Sequence, residues 1–339
     1  MDKVRFGLVG TGRITDWVLR GAREDCRFEA VAVCSRSASK GETFAKEHAI
    51  PLVYTDLEQM TANPDIDAVY IGTPNHTHAD IALRCIAAGK HVLCEKPFTS
   101  NAKEARVVVR AAKEKGVVLM EAMISTLSPN FREVARRLPG CGRIGQVSMS
   151  FCQYSSKYEA LQRGEVAASF DPRCGGGALM DLGVYTIWPV VALFGRPEKL
   201  LASIGTYDIP GIGPTDVQGT VLLEYKEFTA MATYSKTADS FLPSEISGER
   251  GAILLDKVHI CRSLKWYPHA APTSGRGEGA KAEDITVKDT HDEYYCEFKE
   301  FIDCVLEGHD SLINSPETSV IVMEVLDEVR KQAGLLAMH

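Results

Sequence analysis

The feature that most constrains this chain is a regular alternation in its first 122 residues. Short β-branched runs ("VRFGLVG", "FEAVAVCS", "DAVYIGT", "HVLCEK", "GVVLME") take turns with "RITDWVLRGARE", "SASKGETFAKEHA", "THADIALRCIAAG" and "NAKEARVVVRAAKEKG", whose apolar residues recur at helical spacing. Strands that are apolar along their whole length are buried on both faces, and a helix between strands is the crossover that parallel pairing needs. The expectation is an α/β fold built on a doubly wound parallel sheet.

From about residue 145 the rhythm changes. "GQVSMSFCQY", "EKLLASIGTY", "TDVQGTVLLEY", "EFTAMATYSK" and "GAILLDK" follow one another with turn residues and little helix between them. That pattern predicts an α+β region with a large, open, mostly antiparallel sheet. "YPHAAPTSGRGEGAKAED" reads as an exposed loop. Two helical patterns close the chain, "EYYCEFKEFIDCVLEG" and "SPETSVIVMEVLDEVRKQA", the second with Ser315 as N-cap and Pro316 at the first helical position. At 339 residues two domains are expected: 1–122 for nucleotide and 123–315 for substrate and oligomerisation, with a helix at about 316–335 placed to pack back on the first.

Composition narrows the partners. The 38 basic and 45 acidic residues give a net charge of −7 without a basic stripe, which argues against nucleic acid. "MDKVRFGLVG" lacks the build of a signal peptide, and no apolar run reaches membrane-spanning length. The ten cysteines form no C-x-x-C pair, and Cys34 and Cys94 stand in apolar runs as small hydrophobes. A reduced, cytoplasmic protein is the expectation.

"FGLVGTGRIT" places Gly10 and Gly12, with Thr11, Arg13 and Ile14, between the first strand and the first helix. Such a turn lets backbone approach a dinucleotide pyrophosphate at a helix N-terminus. Thr15 holds the position of the usual third glycine, so looser helix–strand packing is expected. After the second strand, "VCSRSASK" has no acid to accept from a ribose 2′-hydroxyl; Ser35, Arg36, Ser37 and Lys40 offer donors to a 2′-phosphate instead. NADP(H) is expected over NAD(H). His76 and His78 would suggest a metal, but no third ligand stands at a recognisable spacing, so no metal is expected.

Beside that turn stand "GTPNHTHAD" at 72–80, "EKP" at 95–97 and "GGGALMDLGVY" at 175–185. In this order and spacing they resemble the Gfo/Idh/MocA oxidoreductases over essentially the whole chain. The resemblance implies a Rossmann domain followed by an α/β domain whose open sheet packs beside the nicotinamide and commonly mediates oligomerisation, here as homodimer or homotetramer. It implies that Thr73, Pro74, Asn75 and His78 lie at the cofactor, that Glu95 and Lys96 sit beside the nicotinamide, and that the Lys96–Pro97 bond is cis.

Hydride transfer at an alcohol carbon needs a group to exchange the hydroxyl proton. Many relatives place histidine at position 185. Tyr185 here is like that of glucose–fructose oxidoreductase and dihydrodiol dehydrogenase. A free phenol, with a pKa of about 10, is a poor base near neutrality, and a nearby ammonium such as Lys96 favours phenolate. Asp181, one turn earlier, would hold Lys96 charged or bind a second substrate hydroxyl. Pro189 cannot donate to the Tyr185 carbonyl, so the helix is expected to kink or loosen there. Trp188 is assigned to the core.

The substrate is less legible. Sugar- and diol-oxidising relatives often carry E-A-M-W-x-R-F-x-P where this chain has "EAMISTLSP", so Ile124 and Thr126 replace the Trp and Arg that would grip a substrate. Tyr154 and Arg173 are the remaining candidate contacts. The sequence supports an NADP(H)-dependent oxidoreductase acting on a secondary alcohol or ketone of a sugar, polyol or cyclic diol. Two readings stay open beside it: a redox-neutral enzyme in which transient oxidation drives elimination or glycoside cleavage, and a non-catalytic NADP(H)-binding regulator.

Overall fold

The computed structural model describes residues 3–269 and 281–335. The chain divides into two compact units, one of residues 1–124 with 290–324 and one of residues 125–289 with the chain from 325 onward.

The first unit holds β1 (Val4–Val9), α1 (Arg13–Ala22), β2 (Phe28–Cys34), α2 (Ala38–Glu47), β3 (Leu52–Tyr54), α3 (Leu57–Thr61), β4 (Ala68–Ile71), α4 (His78–Ala87), β5 (His91–Glu95), α5 (Ala102–Lys115) and β6 (Leu119–Ala122). Its six strands pair in parallel in the order β3-β2-β1-β4-β5-β6. The strand order reverses between β1 and β4, and in open sheets of this kind the carboxyl ends leave a crevice at the reversal. β3 was not expected; at three half-exposed residues on the sheet edge it is too short for a periodic signal. Side-chain oxygens of Ser37, Asp56 and Asn101 accept from the first turns of α2, α3 and α5, and Gly116 ends α5 in the left-handed region.

After β6 come α6 (Ile124–Leu127), α7 (Pro129–Arg137), β7 (Ile144–Cys152), α8 (Tyr158–Gln162), a π-helical turn (Leu179–Gly183) and α9 (Val184–Phe194). β8 (Lys199–Ile209), β9 (Gly213–Glu224), β10 (Thr229–Ser235), β11 (Ser244–Gly248), β12 (Gly251–Leu255), β13 (Leu264–Pro268) and β14 (Glu283–Asp284) complete an eight-stranded sheet in the order β14-β13-β12-β11-β7-β10-β9-β8. β7 and β10 pair in parallel and the other neighbours antiparallel. β11 escaped the sequence reading because "SEISG" offers a single apolar residue, Ile246, for the buried face. Residues 270–280 of the expected exposed loop lie outside the described residues.

The two closing helices are α10 (Tyr295–Glu307) and α11 (Pro316–Gln332), and Ser315 Oγ accepts from the Thr318 amide as expected of an N-cap. Gln332 reaches the free edge of the second sheet, its amide accepting from Ala202 N–H and donating to the Leu200 carbonyl of β8. A side chain thus occupies part of an edge that would otherwise invite strand addition.

Two sequence expectations need correction. The helical stretch Pro172–Phe194 is long and apolar enough to cross a membrane, although 72% of its most apolar window is buried, with Trp188 wholly enclosed. α9 also runs through Pro189, and the widened turn lies before it, at Leu179–Gly183. There Gly183 lets the chain approach the sheet: a Cβ would press into the Tyr234 ring of β10.

The core of the first unit centres on aromatic rings. Phe298 of α10 packs against Phe6 of β1, Phe28 of β2 and Tyr70 of β4 at centroid distances of 5.6, 5.4 and 5.7 Å, and all four rings are buried. Truncating Phe298 to alanine leaves a cavity that the sheet cannot close. Phe298→Ala is expected to lower unfolding free energy by about 3–5 kcal/mol, measured by denaturant titration.

Candidate functional site

A cleft of about 600 Å³ opens at the carboxyl ends of β1, β2 and β4. Of the expected cofactor residues, Gly10, Thr11, Gly12, Ser35, Arg36, Ser37, Lys40, Thr73 and Pro74 line it. Gly10 has φ +106°, and a Cβ there would run into the Gly72 carbonyl, so only glycine lets β1 turn this close to β4. Gly12 is the N-cap of α1 and has no side-chain cap, which leaves the first-turn amides of the helix directed to an anion. Thr15 is fully buried, and its Oγ1 lies where a Cβ on Gly72 would have to go. The space usually provided by a third glycine in the turn is provided by Gly72 on the neighbouring strand. Arg13 instead stacks over Trp17, 5.7 Å from the ring centroid, and Ile14 is half-buried; neither lines the cleft.

The rim beyond β2 is cationic and hydroxylic. Arg36 and Lys40 are exposed, and Ser37 Oγ caps α2 by accepting the Lys40 amide. Acids occur only farther along the cleft wall: Asp56 caps α3 at the Gln59 amide (3.0 Å), and Glu58 and Asp80 pair with Arg84 (2.6 and 3.4 Å). A glycine turn under a bare helix N-terminus, with guanidinium, ammonium and hydroxyls where a ribose acid would stand, fits a dinucleotide with a 2′-phosphate.

The loops after β4 and β5 are tied together from beneath. Fully buried His78 faces the Thr73 carbonyl with Nε2 (2.8 Å) and the Pro97 carbonyl with Nδ1 (3.0 Å). Burial outweighs the pull of these carbonyls and lowers its pKa; a neutral ring donates to one of the two carbonyls at a time, and His78 packs between the loops without lining the cleft. Thr73 and Thr77 hydroxyls meet at 2.7 Å above it, and half-buried Asn75 lies in the same loop. The Lys96–Pro97 bond is cis.

Glu95 is buried, accepting from the Tyr70 hydroxyl at 2.7 Å and the Lys96 amide at 3.2 Å. Glu297 of α10, also buried, was missed by sequence reasoning because it sits in an ordinary helical pattern. Burial first, then the charge of Glu95, pushes the Glu297 carboxyl well up, and burial raises Glu95 as well. Burial thus favours the protonated form of each acid, and the charge of one raises the other.

In the second unit, Asp181 lies in the π turn and Tyr185 in the first turn of α9. The Tyr185 ring meets Phe151 edge-on at 5.6 Å and His259 at 6.3 Å, and Phe151 and His259 are stacked at 3.7 Å. Asp181 Oδ2 is paired at 2.8 Å with Lys236, a residue sequence reasoning did not single out. Tyr154 is exposed and edge-on to Tyr158, and exposed Arg173 is gripped by Asp171 through Nε at 2.9 Å and Nη2 at 2.7 Å. Among the described residues no cluster of three or more His, Cys, Asp or Glu side chains could hold a metal ion.

Comparison with known proteins agrees with this geometry. A family model described as "Oxidoreductase family, NAD-binding Rossmann fold" matches residues 4–123, and one described as "GFO/IDH/MocA C-terminal domain" matches 133–254. A scyllo-inositol 2-dehydrogenase (NADP+) of Bacillus subtilis is 39% identical over 98% of each chain. A trans-1,2-dihydrobenzene-1,2-diol dehydrogenase of Xenopus laevis is 30% identical over 98% of each. A 3-ketoreductase of Actinomadura kijaniata, solved with NADP and TDP-benzene, superposes with a TM-score of 0.80 over 98% of each chain at 24% identity, a likeness of fold.

The raised Glu297 carboxyl gives a signed pH dependence. An acid that keeps its proton in the folded state and releases it in the unfolded state makes stability fall as pH rises above its ordinary value of 4.5. Glu297→Gln removes the titration. The melting temperature of the variant relative to the parent is therefore expected to rise as pH increases above 5, followed by differential scanning fluorimetry.

Proposed function

Since the chain belongs to the GFO/IDH/MocA oxidoreductase family, we propose that it is an NADP(H)-dependent dehydrogenase or reductase acting on a secondary alcohol or ketone of a polyol, sugar or cyclic diol. The observation that carries the cofactor assignment is the rim after β2, where Ser35, Arg36, Ser37 and Lys40 surround a helix N-terminus without an acid. The substrate class is supported by the inositol and diol dehydrogenases that the chain resembles along its length.

In this reading Tyr185 takes the hydroxyl proton when the alcohol is oxidised and returns it when the ketone is reduced. Lys96 supplies the ammonium that favours the phenolate and hydrogen-bonds the substrate oxygen. Asp181, anchored on one oxygen by Lys236, fixes a further substrate hydroxyl. Glu95 holds the backbone at Lys96 by accepting its amide. A bound nicotinamide supplies the hydride acceptor or donor.

We place self-association on the second sheet. Exposed Leu201 of edge strand β8 stands beside exposed Leu222 of β9, and half-buried Met231 of β10 continues the row. An apolar ladder of this kind is suited to an isologous contact with a second copy. The double variant Leu201→Asp/Leu222→Lys is expected to elute as monomer where the parent elutes as dimer or tetramer, by light scattering.

The test of function is a panel of inositols, sugars and cyclic diols incubated with NADP+ or NAD+ and followed at the reduced-nicotinamide absorbance band. Turnover of scyllo-inositol or a related polyol, with at least tenfold preference for NADP+, is expected; a tenfold preference for NAD+ overturns the cofactor assignment. Tyr185→Phe should lower kcat by about 10²–10⁴ while leaving the Kd for NADPH within twofold. Unchanged kcat removes Tyr185 from the chemistry.

A further inference from the structure

The π turn that carries Asp181 is held against the sheet by two charged side chains from adjacent strands. Lys236 directly follows β10 and Asp216 lies in β9; the Lys236 amide donates to the Val217 carbonyl, which keeps the two strand ends in register. Lys236 is 2% exposed. Its Nζ donates to Asp181 Oδ2 at 2.8 Å and to the Ser169 carbonyl at 2.6 Å, and lies 4.4 Å from the centroid of the Phe170 ring. Asp216, buried, accepts the Leu179 amide at the first residue of the turn. It also packs on Gly177, whose φ of +127° and lack of Cβ make room for the carboxylate.

An ammonium this deep is an odd choice for holding a fold together. Removing it from water costs several kcal/mol, and a buried pair replaced by apolar residues often leaves stability unchanged or improved. Its partner is not buried with it: the Asp181 side chain is 37% exposed. Lys236 therefore fixes the orientation of a carboxylate that still meets solvent.

We infer that Lys236 is a positioning residue for the reaction, acting through Asp181: it holds that carboxylate oriented one turn before Tyr185. The inference rests on the reading above, in which Asp181 and Tyr185 serve the chemistry. Lys236 touches no reacting atom, so its contribution passes entirely through Asp181.

A double-mutant cycle on full-length enzyme tests it, with NADP+ and the best substrate of the polyol panel, scyllo-inositol in our expectation. Misplacement of a reacting group by about 1 Å costs on the order of 10²-fold, so Lys236→Met should lower kcat by about 10–100-fold with the Kd for NADPH within twofold. In the Asp181→Asn background the same substitution should change kcat by less than twofold, since coupled residues are non-additive when one acts through the other. That double variant also lacks the unpaired carboxylate that could unfold Lys236→Met. A further tenfold loss in the Asp181→Asn background overturns the positioning role, as does wild-type kcat in Lys236→Met when Asp181→Asn alone is impaired. Wild-type kcat in Asp181→Asn overturns the catalytic reading of Asp181 and the inference with it.

Discussion

The cleft in the first unit depends on one steric condition: at Gly10 the backbone passes closer to the Gly72 carbonyl than any side chain permits. β1 and β4 are neighbours at the strand-order reversal, so this contact sets how the crevice begins. Two consequences follow from the same closeness. The chain leaving β1 enters α1 with no side chain capping its N-terminus, and Thr15 fits below only because position 72 also lacks a Cβ. Two glycines far apart in sequence act as one packing unit, and neither can change without the other side giving way.

Each unit buries acid beneath its candidate chemistry, and each meets the cost differently. A carboxylate removed from water must gain a proton or a cation. Beneath Lys96 the answer is a proton: Glu95 and Glu297 share low-dielectric surroundings with the Tyr70 hydroxyl, and burial raises both carboxyls. Beneath Asp181 the answer is a cation: Lys236 serves Asp181 directly and draws the Asp216 carboxyl downward, although burial still leaves Asp216 at about 6. Burial moves the acids near Lys96 toward their neutral forms, whereas in the second unit an ammonium is paired with the Asp181 carboxylate.

What was legible in the sequence follows from how local each signal is. β1, β2, β4, β5 and β6 announced themselves because each is a continuous apolar run between helical patterns, and the glycine turn because its residues are contiguous. β3, α3, β11 and β14 were invisible: they are short, sit at edges or carry mixed polarity, and owe their regularity to the neighbours they pair with. The widened turn was read one turn too late, since Pro189 is an obvious breaker, whereas the need at Leu179–Gly183 comes from Asp216 and Tyr234 across the sheet. Lys236 and Glu297 were missed for a related reason. Each stands in a sequence that suits an ordinary strand end or helix, and only packing reveals that its charge is enclosed.

The same logic explains why cofactor is easier to read than substrate in this chain. A dinucleotide is recognised through backbone geometry at successive strand ends, so its signals arrive as short motifs. The groups at Tyr185 and Asp181 come instead from distant segments: Phe151 from the end of β7 and His259 from the stretch after β12 at Tyr185, and Lys236 from just past β10 at Asp181. Thr126, standing where sugar-oxidising relatives often have arginine, is fully buried, and Arg173 is already engaged by Asp171. Position 126 therefore offers no guanidinium, and Arg173, a candidate only by its place in the sequence, is held by Asp171 with its side chain still exposed. What surrounds Tyr185 in its own unit is an aromatic stack with an anchored carboxylate one turn away; under the function proposed above, selectivity built from ring faces and one fixed acceptor tolerates sequence change more readily than a bidentate arginine does. Substrate identity in such a site is a property of the packed unit, and no single motif carries it.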